Sequence, residues 1–186
     1  MYDMQDKSLS IKYFLRAAHA GEYRAMLVVA LIYEEGDGIE RNIEEAVRWY
    51  RKYAKRVIEE PNFFIVVGVG IMSSVVPIAD IRQIVNSDDK YDLERLGYAY
   101  ENGIAGVDKN MDEAIKYYLK ASDAGGEFSM YSLGNAYAKG GSVNQDMIIA
   151  LEWYRKAAVK KMFGDDRVMS SKEIISNIFE NIDNNQ

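Results

Sequence analysis

The chain has 186 residues, of which 48% are hydrophobic and 28% charged, a balance that suits one folded domain or a short repeat array and excludes a disordered chain. Its net charge of −6 repels phosphate backbones, so the expected partner is another protein, more naturally a basic one, and not nucleic acid. There is no cysteine, which removes disulfides, thiolate metal sites and thiol nucleophiles together.

In chain order, Met1 to Lys7 has no basic stretch followed by an apolar core, so no signal peptide is expected. IKYFLRAAHAG (11–21) reads as the end of a truncated helical unit spanning 1–21. The next unit, 22–54, holds Val29-Ala30-x-x-Tyr33, a turn with Gly36 and Gly38, and then Ala46 and Trp49-Tyr50. The same order returns in 91–124 (Leu96-Gly97-x-x-Tyr100, Gly103 and Gly106, Ala114, Tyr117-Tyr118) and in 125–163 (Leu133-Gly134-x-x-Tyr137, Gly140 and Gly141, Ala150, Trp153-Tyr154). The residues two before each aromatic pair are Ile11, Val47, Ile115 and Leu151, spaced by 36, 68 and 36. The double gap predicts one more unit in 55–90 that has lost the aromatic signature. It contains a charge-free run of 19 residues, Pro61 to Ala79. That run is close to the about 20 apolar residues of a membrane span, but Gly68, Gly70, Ser73, Ser74 and Pro77 interrupt it, and a helix buried within the array is the plainer reading.

The spacings have physical causes. Ala30, Gly97 and Gly134 leave room on the first helix of each unit for the second helix to come close. The tyrosine three residues on lies one turn further along that face. Asn42, Asn110 and Asp146 are expected N-caps of the second helices, the first two followed at N3 by Glu45 and Glu113. One aromatic of each pair should pack inside its unit and the other against the next. In 164–186, Ser170 and Glu173 form a capping-box start to an amphipathic helix with Ile174, Ile178 and Ile182 on one face and Ile175 and Phe179 beside them. This helix is expected to cover the apolar end of the last repeat, with docking of a partner or of a second copy as the alternative.

The recurrence of L-G-x-x-Y, a Gly-rich turn, N/D and A-x-x-W-Y-x-K-A-A at a period near 36 resembles the Sel-one-like repeat, a relative of the tetratricopeptide repeat. The resemblance implies an all-α fold, a right-handed α-α superhelix of stacked hairpins, and a role as a non-catalytic adaptor or scaffold. It also implies partner contact along a concave groove lined by the first helices. Carried over on the Leu-Gly pair, the groove positions become Arg24, Leu27, Leu31, Glu34 and Glu35, then Tyr91, Glu94, Tyr98, Glu101 and Asn102, then Phe128, Tyr131, Asn135, Ala138 and Lys139. Aromatic rings there would supply contact area and carboxylates would select basic side chains.

Catalysis finds little support. His19 is the lone histidine and no nucleophile elbow accompanies it. Asp108 to Asp112 opens like a calcium loop, but Glu113 stands where glycine is needed and Leu119 where the closing acid is needed. Gly68-x-Gly70 lacks a third glycine at the spacing of a dinucleotide fingerprint. No cofactor and no metal site is expected. Three readings differ from a general adaptor. SSVVPIADIRQIV resembles the hydrophobic pre-toxin linkers of bacterial polymorphic toxins, which keeps open a cytoplasmic immunity protein that neutralises a cognate toxin. A membrane-associated scaffold would use 61–79, although membrane contact is disfavoured. A homodimer is open through the apolar middle or the terminal helix.

Overall fold

The computed structural model describes residues 2–57, 81–164 and 169–183, and every described regular element is helical. The helices are α1 (Tyr2–His19), α2 (Tyr23–Glu35), α3 (Ile43–Val57), α4 (Lys90–Asn102), α5 (Met111–Asp123), α6 (Glu127–Lys139), α7 (Met147–Phe163) and α8 (Ser171–Asp183), with a short 3-10 turn at Ile81–Ile84 before α4. The apolar run 61–79 and most of the divergent unit expected over 55–90 lie outside the described residues.

The helix ends fall where the turn chemistry puts them. The Asn42 side chain accepts the Glu45 N–H at 3.0 Å. Asn110 caps Asp112 and Glu113, and Asp146 caps Ile148 and Ile149. Glu45 and Glu113 do more than complement the N-terminal dipole, because each also pairs with a cation three residues on, Arg48 and Lys116. Gly36 and Gly103 end α2 and α4 in the left-handed region, at φ 74° and 68°, where a side chain would be strained. The expected capping box is present at α8: Ser170 Oγ accepts the Glu173 N–H while the Glu173 carboxylate accepts from the Ser170 N–H and hydroxyl.

Three hairpins form, α2 on α3, α4 on α5 and α6 on α7, and α5 carries the second of these onto α6. The small residue on the first helix of each is what the packing requires. A Cβ placed on Gly97 would collide with the Tyr118 ring, and one on Gly134 would lie 2.9 Å from Tyr154. Ala30 is wholly buried at the equivalent place. Tyr50, Tyr118 and Tyr154, the second aromatics of their pairs, are the ones buried inside. Their neighbours differ: Trp49 is buried with His19 edge-on to its ring at 5.1 Å, Tyr117 stacks on Tyr100 at 5.6 Å, and Trp153 is half-buried.

The hairpins do not stack in chain order. α3 packs on α7, so hairpin α6–α7 lies between α4–α5 and α2–α3. The two helices run in the same direction, since Arg51 meets Tyr154 and, further along, Tyr53 and Val57 share a pocket with Lys161 and Met162. This moves the terminal helix as well. α8 was expected to cover the last repeat; it lies against α2, with Ile174 and Ile178 buried in the common core. With α7 already covered by α3, the first complete hairpin is the one that still needs a cover. The side chains of Phe179 and Ile182 are outside the described residues.

Replacing Gly97 by Ala should therefore lower stability by about 1–3 kcal/mol through overpacking against Tyr118, read as a lower urea midpoint at unchanged slope.

Candidate functional site

Each hairpin ties its second helix to its first through a buried tyrosine. Tyr50 donates to Glu34 Oε2 at 2.7 Å and Tyr118 to Glu101 Oε2 at 2.7 Å. In the third hairpin Ala138 occupies the carboxylate position, and Tyr154 donates to Asn135 Oδ1 instead, at 2.7 Å. Burial raises the Tyr50 and Tyr118 hydroxyls well above their ordinary value, and the carboxylate beside each raises them further. Both therefore stay protonated and keep donating.

These bonds decide which of the expected groove residues face solvent. Leu27, Leu31, Glu34, Glu94, Phe128 and Tyr131 are buried within the chain, so the expectation that they line an open groove is corrected. For Phe128 and Tyr131 the cause is ring packing. Phe128 lies 6.1 Å from Tyr98 and 5.9 Å from Tyr118, and Tyr131 lies 5.7 Å from Tyr154. For Leu27 and Leu31 the cause is the packing of α1, α3 and α8 around α2, and Glu34 is taken up by Tyr50 and Arg155. Ala138 is buried as well. Arg24, Tyr98, Glu101 and Asn135 are half-buried, whereas Tyr91, Asn102, Lys139 and Glu35 are exposed. The carboxylates among them already have partners: Glu101 on Tyr118, Glu34 on Tyr50 and Arg155, and Glu35 on the Ser171 hydroxyl.

Glu94 has a different task. Helix α6 starts at Gly126, which has no side chain with which to cap it. Glu94, on α4, reaches across and accepts the Ser129 N–H at 3.2 Å and its hydroxyl at 3.4 Å. One repeat thus caps the next. Burial pushes the Glu94 carboxyl up to about 7; the Ser129 N–H opposes this, Glu127 adds to it and Lys90 opposes it. Among the described residues no group of three or more His, Cys, Asp or Glu is placed to hold a metal, and no helix is long and apolar enough to cross a membrane.

The residues that join the two ends of the array were not visible from motif spacing. Arg155 donates to Glu34 Oε1 at 2.7 Å and to the Met169 carbonyl at 2.6 Å. Arg51 donates to the Tyr154 hydroxyl at 3.3 Å. The R-K that follows the two Trp-Tyr pairs (Arg51-Lys52 and Arg155-Lys156) was a repeated signal for them, but its meaning depended on α3 meeting α7.

Comparison with known proteins agrees with this architecture. The model of the family described as Sel1 repeat matches residues 4–22, 24–56, 93–126 and 128–158. The chitin synthase regulator SKT5 of Saccharomyces cerevisiae is 40% identical over 50 residues, which is 27% of this chain and 7% of that protein. Two solved structures are similar at 26% identity. One is a Sel1 repeat protein from Oxalobacter formigenes (TM-score 0.37, covering 90% of this chain and 98% of that one). The other is c5321, a protective antigen of uropathogenic Escherichia coli strains displaying an SLR fold (TM-score 0.45, covering 91% and 40%).

Two outcomes follow from the site's geometry. Because the Glu94 pKa is raised, its folded form holds a proton that the unfolded chain releases near pH 4.5. Its contribution is thus full below that pH and is lost as pH rises to about 7. Glu94→Gln should remove this dependence, so the variant gains on the parent chain by on the order of 2 kcal/mol between pH 5 and 8, measured by urea unfolding across that range. Arg155→Met leaves Glu34 without its cation and should cost about 2 kcal/mol. Hydrogen exchange should then quicken in α2 and α8 and stay unchanged in α4 and α5.

Proposed function

The chain belongs to the Sel1 repeat family, and from that membership we propose that it is a non-catalytic scaffold that binds another protein along the outer face of α4 and α6. Sel1 repeat proteins act in protein–protein interaction. The observation that carries the reading here is the pattern of exposure on those two helices. Tyr91, Asn102 and Lys139 are exposed, and Tyr98 and Asn135 are half-buried, while the larger hydrophobics beside them are used in the core. Tyr91, at 47% exposure, is one of six large hydrophobics exposed among the described residues, and tyrosine suits a contact that must be rigid, apolar and hydrogen-bonding at once.

Groove carboxylates do not select a basic partner, because Glu34, Glu94 and Glu101 are bonded internally. A basic partner is favoured instead by the net charge of −6, which acts over distance and on the rate of encounter. The 50 residues shared with the yeast regulator span little more than one repeat, so they carry the repeat and not that protein's task.

The test is capture from the source cell's lysate on the immobilised chain, followed by titration of the captured protein against variants. Tyr91→Ala together with Lys139→Glu should weaken binding by at least about tenfold, the scale of a 1.4 kcal/mol contact, with helix content unchanged. Equal affinity for the variant and the parent chain would rule this face out.

A further inference from the structure

A recess is formed by helices other than α4 and α6. The N-terminus of α2, the C-terminal ends of α3 and α7, and α8 together line an open pocket of about 420 Å3. This is within the range of roughly 300–1,000 Å3 of ligand-binding pockets. Two cations, Arg24 and Lys161, line it together with Tyr23, Tyr53, Met162 and Ile178. No acidic side chain is among its described lining residues.

Among the described residues the charge beside it is segregated. The segments 48–57 and 153–163, the second halves of α3 and α7, hold nine of the chain's 23 basic residues and none of its 29 acidic ones. Because α3 and α7 run in the same direction, these halves end at the same side of the molecule. Attraction to helix C-termini accounts for Lys55, Arg56, Lys160 and Lys161, which stand in last turns. It does not account for Arg24. That residue stands in the first turn of α2, where the helix dipole opposes a cation. Its guanidinium lies 5.6 Å from the Tyr23 ring centroid. The nearest acid in sequence, Glu22, is occupied in capping the Arg24 N–H.

We infer that this pocket binds an acidic peptide segment of a partner, with one bulky apolar side chain in the pocket and flanking carboxylates on Arg24 and Lys161. The aromatic and aliphatic wall takes the apolar group, and the two cations fix its acidic neighbours. Such a segment fits better than a bilayer or a nucleic acid. A short peptide feels mainly the charges within a Debye length of about 10 Å at 0.1 M salt. An extended polyanion would also meet the acidic remainder of the surface, and a flat bilayer does not enter a recess.

The experiment uses the full chain and a fluorescein-labelled peptide, Asp-Glu-Phe-Glu-Asp, with two control peptides in which Phe is replaced by Ser or the acids by Lys. Anisotropy at 50 mM and 300 mM salt should show binding of the first peptide that weakens with salt. Lys161→Glu, an exposed change that leaves the core intact, should weaken it at least tenfold, and Arg24→Gln by a smaller factor. Lys116→Glu, on the remote helix α5, should leave it unchanged. Tyr91→Ala with Lys139→Glu should also leave it unchanged, which separates failure here from failure of the face on α4 and α6. Equal binding by the Lys161→Glu variant, or equal binding of the Ser peptide, overturns the assignment. So does binding of phosphatidylserine vesicles without binding of the peptide.

Discussion

The fold turns on the contact between α3 and α7. Hairpins of this kind bury one face against the next unit, and each end of an open array leaves an apolar face uncovered. Here the first complete hairpin and the last are brought side by side, so each covers the other. Arg51 on α3 bonds the Tyr154 hydroxyl on α7 across that contact, and beside it Arg155 joins three helices: it is anchored in α7, bonds Glu34 at the end of α2, and holds the Met169 carbonyl just before α8. Glu34 accepts from both Arg155 and Tyr50. A carboxylate that is only 8% exposed is tolerable in that place because a cation and a hydroxyl both face it.

The same economy governs the joints between units. The tyrosine–carboxylate bond recurs in two hairpins, and in the third an amide one turn away replaces the carboxylate. The substitution is coherent with its surroundings. With Ala138 at the carboxylate position, a tyrosine that kept its old direction would be left with a buried unsatisfied hydroxyl. Asn135 receives it, and Arg51 from the neighbouring hairpin adds a second bond on the same oxygen. Glu94 shows a further use of an acid, as a cap supplied to a helix that begins at glycine. Among the described residues no buried side-chain nitrogen or oxygen lacks a partner.

What the sequence made legible was local. Gly97 and Gly134 announced close helix approach because a missing Cβ is a statement about a neighbour's volume, and Tyr118 and Tyr154 fill that volume. Asn110, Asp146 and the Ser170–Glu173 pair announced helix starts because capping depends on residues within three positions. The groove positions were less legible. Leu27, Leu31, Glu34, Phe128 and Tyr131 fall on the right helices, but whether they meet solvent depends on what lies across from them, and that is a long-range fact. The pairing of Arg155 with Glu34 spans 121 residues, and no motif spacing encodes it.

Closure of the array also changes where a partner can act. In an open stack the inner surface of every first helix is available, and specificity can be spread along it. Once α2 is enclosed by α3, α1 and α8, its inner surface becomes core, and the accessible recognition chemistry moves to the places that closure leaves out. One, on the proposed reading, is the outer face of α4 and α6, where Tyr91, Asn102 and Lys139 are exposed. The other, on our inference, is the rim where α3 and α7 end together. Two basic helix ends that would be far apart in an open stack are brought around Tyr53 and Met162. The recess lies where α3 and α7 end side by side, so its lining follows from the order in which the hairpins stack.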